Sequence, residues 1–357
     1  MQRRFQSIAA QVAASLREEV LAGNAGALPS ERELGERLQV SRRTVRKALA
    51  MLRGEGLVKT TARRTLVISA TRKPNRAVQP PQVKLLLPEP LEQARPFTAL
   101  WISHLAGLIR EGGSGFEVIS GEKYYGARAS RSLANLTANH PADCWVIARS
   151  NRPLQQWFDD HRIPAVIAGS PHPGIRLPSV DSDHSALSHH AAGQFLRRGH
   201  TRVALFFEKI RHAGDAETEA AFTAGLADSG RAAPPLICRV ERKPEAMIRE
   251  LNRLLRLRHR PTGFLLCNAF SYLTAVTYLA AVGYNVPADF SLISQDEGPF
   301  LGHVYPAPAR YLTNPRNFAV ALNRSVRRVL EHDAPEGSKI RIMPDFIAGG
   351  SMAAART

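Results

Sequence analysis

The 357-residue chain reads as an α/β protein: a winged helix-turn-helix at the N-terminus and, behind it, two doubly wound subdomains. Three observations predict this. Basic charge is concentrated at the front, where residues 1–76 carry 16 Lys+Arg against 6 Asp+Glu, while the rest carry 32 against 25. A polar, proline-containing stretch, ATRKPNRAVQPPQ, interrupts the pattern at residues 70–82. After it, short continuously apolar runs alternate with amphipathic stretches, as expected of parallel strands covered by helices on both faces.

The basic segment can be read element by element. Ile8, Val12, Leu16 and Val20 recur every four residues, one stripe of an amphipathic helix over Gln6–Leu21 that Gly23 and Gly26 end. Ser30 and Glu33 stand three apart, the spacing at which each side chain satisfies the other's backbone N–H, so a short helix starts there and runs to Leu38. Gln39-Val40 make a tight turn, and Ser41 caps a helix over Arg42–Arg53. On it Val45, Leu49 and Leu52 face inward, while Arg42, Arg43, Arg46 and Lys47 crowd the outside of the first two turns. Two short helices joined by a tight turn, the second basic at its start, form a helix-turn-helix. The start of such a helix enters the major groove, where guanidinium forks match guanine edges and helix-end N–H groups meet phosphate. Residues 57–68 read as two strands around a basic tip that carries Arg63 and Arg64. The plainer alternative is a three-helix bundle with a solvated basic face.

Residues 1–70 are thus the DNA-binding domain and 71–82 an extended linker, because prolines at 74, 80 and 81 fix φ and remove donors. Strands are expected at 83–88, 116–120, 144–148, 165–169, 202–207, 263–267 and 291–294, with helices such as Ala99–Ile109 and Ser185–Leu196 between them. At least seven strands in the 83–357 domain suit two subdomains better than one very large sheet. The expected division is about 83–179 with 314–335, and about 180–313 with 336–357.

Several classes are excluded or disfavoured. No window approaches the ~18–20 apolar residues of a membrane span. The N-terminus lacks an apolar core with a cleavage site, which predicts no secretory leader. Three cysteines, Cys144, Cys238 and Cys267, are odd in number and far apart, which suits buried thiols in a reducing cytoplasm and argues against zinc or a disulfide framework. His184, His189 and His190 have spacings poor for a metal, and are expected to be solvated or to serve a helix N-terminus. Gly112–Gly115 lacks a phosphate-cradle frame and reads as a turn. Without a GxSxG, HExxH or catalytic dyad, neither an enzyme nor a cofactor is expected.

The run LPSERELGERLQVSRRTVRKALAMLRGEGLV resembles the winged helix-turn-helix of the GntR family over residues 6–68. The resemblance implies DNA contacts by Arg32, Ser41, Arg42, Thr44 and Arg46. The family wing usually carries glycines, whereas Ala62-Arg63-Arg64 stand here, so arginine side chains replace close backbone approach. Four further stretches resemble the effector domain of LacI/GalR-type repressors, which has the periplasmic-binding-protein-like fold. They are Val180-Asp181 with Phe195–Ala204, Pro261–Asn268, Gly283–Asp296, and Met343–Ser351. This likeness covers about 83–351 and implies a ligand between two subdomains at strand carboxyl ends. Asp296 matches the family's ligand-binding aspartate, and Phe97 is placed to stack on a sugar ring. Thr218 stands where the family commonly has Arg, and Asn268-Ala269 where it has Asn-Asp, which removes a bidentate donor and a carboxylate. Phe97, Thr218, Asn268 and Asp296 are therefore the candidate effector contacts.

The expectation is a cytoplasmic bacterial regulator, a homodimer on a pseudo-palindromic operator, whose effector is a carbohydrate or a derivative. A constitutive DNA-binding regulator with a degenerate sensor is the first alternative, and a solute-binding protein the second.

Overall fold

A computed structural model describes residues 7–21, 28–54, 57–60, 66–68 and 80–355. The chain forms two units, Met1–Gln79 and Pro80–Thr357.

In the smaller unit α1 (Ile8–Leu21), α2 (Glu31–Arg37) and α3 (Arg42–Gly54) precede an antiparallel hairpin of β1 (Val58–Thr60) and β2 (Leu66–Ile68). Its core joins Val12, Ala13 and Leu16 of α1, Leu34 of α2, Val45, Ala48, Leu49 and Leu52 of α3, and Val58 of β1. The expected stripe on α1 starts a turn late, because Ile8 opens the helix beyond the edge of this core and is 63% exposed. The Val20 side chain, Gly23, Gly26, the wing tip with Arg63 and Arg64, and linker residues 71–79 lie outside the described residues. The capping box forms as its spacing predicts. Glu33 N–H donates to Ser30 Oγ at 3.3 Å and Ser30 N–H to Glu33 Oε2 at 2.8 Å. The turn that follows is tight. Gln39 takes a left-handed φ of 53°, Val40 N–H donates to the Gly35 carbonyl at 3.0 Å, and a Cβ on Gly35 would stand 3.1 Å from the Val40 oxygen.

The larger unit alternates strands and helices. Its first half runs β3 (Gln82–Leu87), α4 (Pro96–Glu111), β4 (Gly115–Ser120), α5 (Ser130–Asn139), β5 (Cys144–Ala148), α6 (Arg152–Asp160), β6 (Ala165–Ala168) and β7 (Ser179–Ser182). Next come α7 (His184–Leu196), β8 (Val203–Glu208), α8 (Ala213–Ala227), β9 (Leu236–Val240), α9 (Pro244–Leu255), β10 (Gly263–Leu266), α10 (Ala269–Ala281), β11 (Ser291–Ser294) and β12 (Ala309–Leu312). The chain closes with α11 (Pro315–Leu330), β13 (Lys339–Ile342) and β14 (Asp345–Ile347). Two six-stranded sheets result, ordered β13-β7-β6-β5-β3-β4 and β14-β12-β11-β10-β8-β9. All pairs are parallel except β12 with β14.

Each sheet is covered on both faces. Leu85 and Leu87 meet Trp101 of α4 and Phe318 of α11, while Leu86 meets Leu133 of α5 and Phe158 of α6. Successive strand residues point to opposite faces, so burial on both faces demands an unbroken apolar run. In the second sheet Phe206 and Phe264 face α9 and α10, and Leu205 and Leu265 face α7 and α8.

The expected division of this unit needs correction. β7 and β13 pair in parallel with each other in the first sheet, so residues 180–182 and 339–342 belong to the first subdomain and not the second. Crossings between sheets fall at Asp183, at 313–314 and at 343–344. Both strands are only four residues long, and they read SVDS and KIRI. Lacking an apolar run, they give no strand signal of the kind that marked β3, β5 or β10. β9, β12 and β14 are further strands that no apolar run announced.

Candidate functional site

Two surfaces carry chemistry, one in each unit. On α3, Val45, Ala48, Leu49 and Leu52 are fully buried, and Arg42, Arg43, Arg46 and Lys47 are exposed on the other side. Ser41 caps the helix. Thr44 N–H donates to Ser41 Oγ at 3.2 Å, and the two hydroxyl oxygens stand 2.8 Å apart. Arg46 reaches back to α2, with Nε and Nη2 3.2 and 3.0 Å from Glu31 Oε2, and this contact raises its affinity for its proton. Arg32 is exposed on the outer face of α2, 3.7 Å from Glu36. Exposed guanidinium and ammonium groups thus surround the start of a helix, which itself favours anions.

The second surface is a cleft of about 200 Å³ at the carboxyl ends of strands from both sheets of the larger unit. Arg149 follows β5 with a left-handed φ of 50°, Ser170 follows β6, Asp181 and Ser182 end β7, Glu208 ends β8, Cys267 follows β10, and Gln295 and Asp296 follow β11. Arg95 and Phe97 enter at the start of α4.

The centre of the cleft is Glu208. It receives Arg95 Nη2 at 2.6 Å and Asn268 Nδ2 at 2.6 Å on Oε1, and Arg149 Nη2 at 3.1 Å on Oε2. Burial by itself would raise the carboxyl pKa, but the two guanidinium groups outweigh it and hold Glu208 down to about 2. Arg95 also stands 3.6 Å from Asp296, whose pKa burial pushes up. His212 is pushed down to about 4, first by burial and then by Arg149 and Arg95. Beside this centre Asp181 accepts from Ser170 Oγ at 2.8 Å and lies 3.2 Å from His184 Nε2. Gln295 Nε2 stands 3.2 Å from both His184 Nδ1 and Thr218 Oγ1. Gly214 permits this packing, since a Cβ there would sit 2.8 Å from the His184 ring.

Of the expected effector contacts, Phe97, Thr218 and Asp296 come together on the cleft wall. Phe97 also packs edge-on against Phe318, centroids 5.4 Å apart, so it serves core and cleft together. Asn268 does not line the cavity. It caps α10 through Phe270 N–H and positions Glu208. His184 opens α7, as a histidine serving a helix N-terminus would, and is partly buried against Asp181; His189 is exposed, and His190 stands 2.8 Å from the Tyr311 hydroxyl. Arg95, Arg149, Glu208 and Gln295 join the cleft beyond the expected contacts, as do Asp181 and His184, which the sequence marks only as part of a motif and as a poor metal ligand. A signal exists for Arg149, Glu208 and Gln295: a polar residue directly after an apolar run, as in CWVIA-Arg149 and VALFF-Glu208, sits at the carboxyl end of a strand.

Residues 8–68 match the model of bacterial regulatory proteins of the gntR family, and residues 192–352 that of the periplasmic binding protein-like domain. The chain joins a gntR-family head to a periplasmic-binding-protein-like domain. The HTH-type transcriptional repressor PurR of Mannheimia succiniciproducens is 43% identical over 54 residues, 15% of this chain and only 16% of that relative. A transcriptional regulator LacI from Bacillus cereus subsp. cytotoxis NVH 391-98 superimposes with TM-score 0.70 at 16% identity, covering 78% of this chain and 100% of its own. The complex of the transcriptional regulator CelR with cellobiose gives 0.68 at 18%, covering 98% and 100%. At these identities the structural likeness is one of fold. The gntR-family model is one of bacterial regulatory proteins, and no helix among the described residues is long and apolar enough to cross a membrane.

Proposed function

We propose that this gntR-type regulator binds operator DNA through α3 and its flanking basic residues, and that a small hydroxylated ligand in the cleft changes operator affinity. The observation that carries the reading is the cleft itself. Charged and amide groups from both sheets converge there, and Arg95 Nε, Arg149 Nε, His212 Nε2 and Gln295 Oε1 are buried without a hydrogen-bond partner among the described residues. Buried polar atoms are normally satisfied, so a group of them lining one cavity from both sides is what a ligand would complete. The cellobiose complex of a protein with the same fold supports a carbohydrate or a derivative. Ligand would favour one relative orientation of the subdomains, and coupling of that state to DNA affinity is what regulation requires.

Arg32, Ser41, Arg42, Arg43, Thr44, Arg46 and Lys47 are the proposed DNA contacts. Asp296, Thr218 and Phe97 are proposed to meet the ligand, with Asn268 acting through Glu208. Calorimetry with a panel of sugars, polyols and sugar acids tests this, followed by operator titrations with and without the best binder. Asp296→Ala should weaken ligand by roughly 2–5 kcal/mol and leave ligand-free operator affinity nearly unchanged; equal ligand affinity in both proteins removes Asp296 from the site. One observation favours a second reading, a regulator with a degenerate sensor that needs no effector: Glu208 already joins the cleft walls by itself.

A further inference from the structure

The guanidinium groups of Arg95 and Arg149 come from the first subdomain and close on one carboxylate, Glu208, that belongs to the second. All three are largely buried, Glu208 most of all at 11% side-chain exposure. α4 and α8 both begin at this cavity, at Phe97 and Ala213, and no side chain caps the N-terminus of α4. Two helix starts and two guanidinium groups favour negative charge in one corner of the cleft, where Asp215 already accepts the His212 N–H at the start of α8 and Asp296 stands 3.6 Å from Arg95. The depressed His212 is a local report of that potential, since Arg149 and Arg95 follow burial among its causes. The Nε–H groups of both arginines nevertheless lack a hydrogen-bond acceptor among the described residues.

We propose that this corner is the anion seat of the effector site, and that Glu208 is its built-in occupant until a hydroxylated effector bearing a carboxylate or phosphate displaces it. The proposal rests on the reading of the cleft as the effector site and specifies the ligand class. Freeing Glu208 takes from each arginine its closest carboxylate and leaves only the longer contacts of Arg95 with Asp296 at 3.6 Å and Arg149 with Glu89 at 3.7 Å, an unfavourable state that an incoming anion reverses and a neutral hydroxyl does not. Opposite the seat, Asp296 accepts one backbone N–H, from Glu297, and keeps acceptor capacity for ligand hydroxyls. Thr218, where a guanidinium is common in similar proteins, gives no cation from α8; here the cations come from the facing wall. Until displaced, Glu208 links the two subdomains and competes with ligand, so apparent affinity is lowered by the fraction of molecules in that state.

The test uses the full chain. In Glu208→Ala the seat is vacant, and sodium acetate or inorganic phosphate should raise its melting temperature saturably beyond sodium chloride at matched ionic strength. The wild type and the Glu208→Ala/Arg149→Met double variant should not respond. Response to acetate alone identifies a carboxylate seat, and to phosphate alone a phosphate seat. Glu208→Gln, close in shape, guards against a folding defect. It should bind D-galacturonate or D-glucose 6-phosphate roughly tenfold or more tightly than the wild type, with D-galactose and D-glucose much weaker in both. No anion response in Glu208→Ala, together with affinities within about twofold between wild type and Glu208→Gln, overturns the proposal. Tight binding of a neutral sugar to both proteins would overturn it too, while leaving the cleft as effector site.

Discussion

Arg46 is held 3.0 Å from Glu31 with its side chain 70% exposed. Ion pairs this open to water contribute little, so the guanidinium can turn to a base edge at small cost. Arg46→Ala should lower affinity for a selected duplex by roughly ten- to a hundredfold and relax specificity at one position, with a smaller loss on random duplex. Fluorescence anisotropy at fixed salt measures both, and equal losses would reduce Arg46 to a phosphate contact. The pair of His184 and Asp181 in the cleft responds to pH instead. Burial opposes the charged imidazole, but the Asp181 carboxylate outweighs it and His184 is raised. Burial likewise opposes the Asp181 charge, and His184, Ser170 and the Ser182 N–H outweigh that, so Asp181 is lowered. A raised histidine contributes stability that is full below its ordinary value of about 6.5 and is lost as pH rises through the folded value. A lowered aspartate contributes stability above its ordinary value of about 3.9 that is lost as pH falls through the folded one. Stability attributable to the pair should therefore be greatest between those limits. Subtracting the melting curve of His184→Gln across pH 4–9 isolates it, and an unchanged pH profile in that variant would show that the pair does not titrate with folding.

α2 has seven residues, too few to hold a helix in water without help from caps and packing. Leu34 supplies the packing and the Ser30–Glu33 box the cap. Ser30→Ala should cost about 1 kcal/mol, read as a lower melting temperature of the head in calorimetry of the full chain. DNA affinity should fall only where the head begins to unfold. A head that melts unchanged would mean that packing alone holds α2. The same reasoning explains which elements were legible in the sequence. α2 and α3 declare themselves by caps and by a one-sided apolar stripe, and β3, β5 and β10 by two-faced burial. β7 and β13 lie away from the middle of their sheet and include Asp181, Ser182, Lys339 and Arg341, so nothing in their composition separates them from loop.

At the scale of the molecule, charge and symmetry set the expectations. The front of the chain holds most of the basic excess, and every phosphate it neutralises releases counterions, so DNA affinity should fall steeply with salt. One short recognition helix reads few base pairs, and we expect a two-fold dimer on a pseudo-palindromic operator, as closed symmetry and paired half-sites require. Sedimentation of the full chain at micromolar concentration, with a footprint on the operator, checks this. A monomer that protects a single half-site would refute it.

The chain's own residues, in order, were enough to determine the helix-turn-helix, the α/β alternation and the basic outer face of α3. Those features depend on neighbours within a turn of helix or a pleat of strand. They also placed Asp296, Thr218 and Phe97 near one another, by resemblance. Only the tertiary structure decided that Arg95, Arg149 and Glu208, up to 113 positions apart, share one ion-paired centre, and that Asn268 serves Glu208 without lining the cavity. It also decided the partition of the sheets, since β7 pairs with a strand roughly 160 residues later. Such distant contacts are set by how the chain returns to the first sheet and how the two subdomains close on each other, and no periodicity along the chain encodes either.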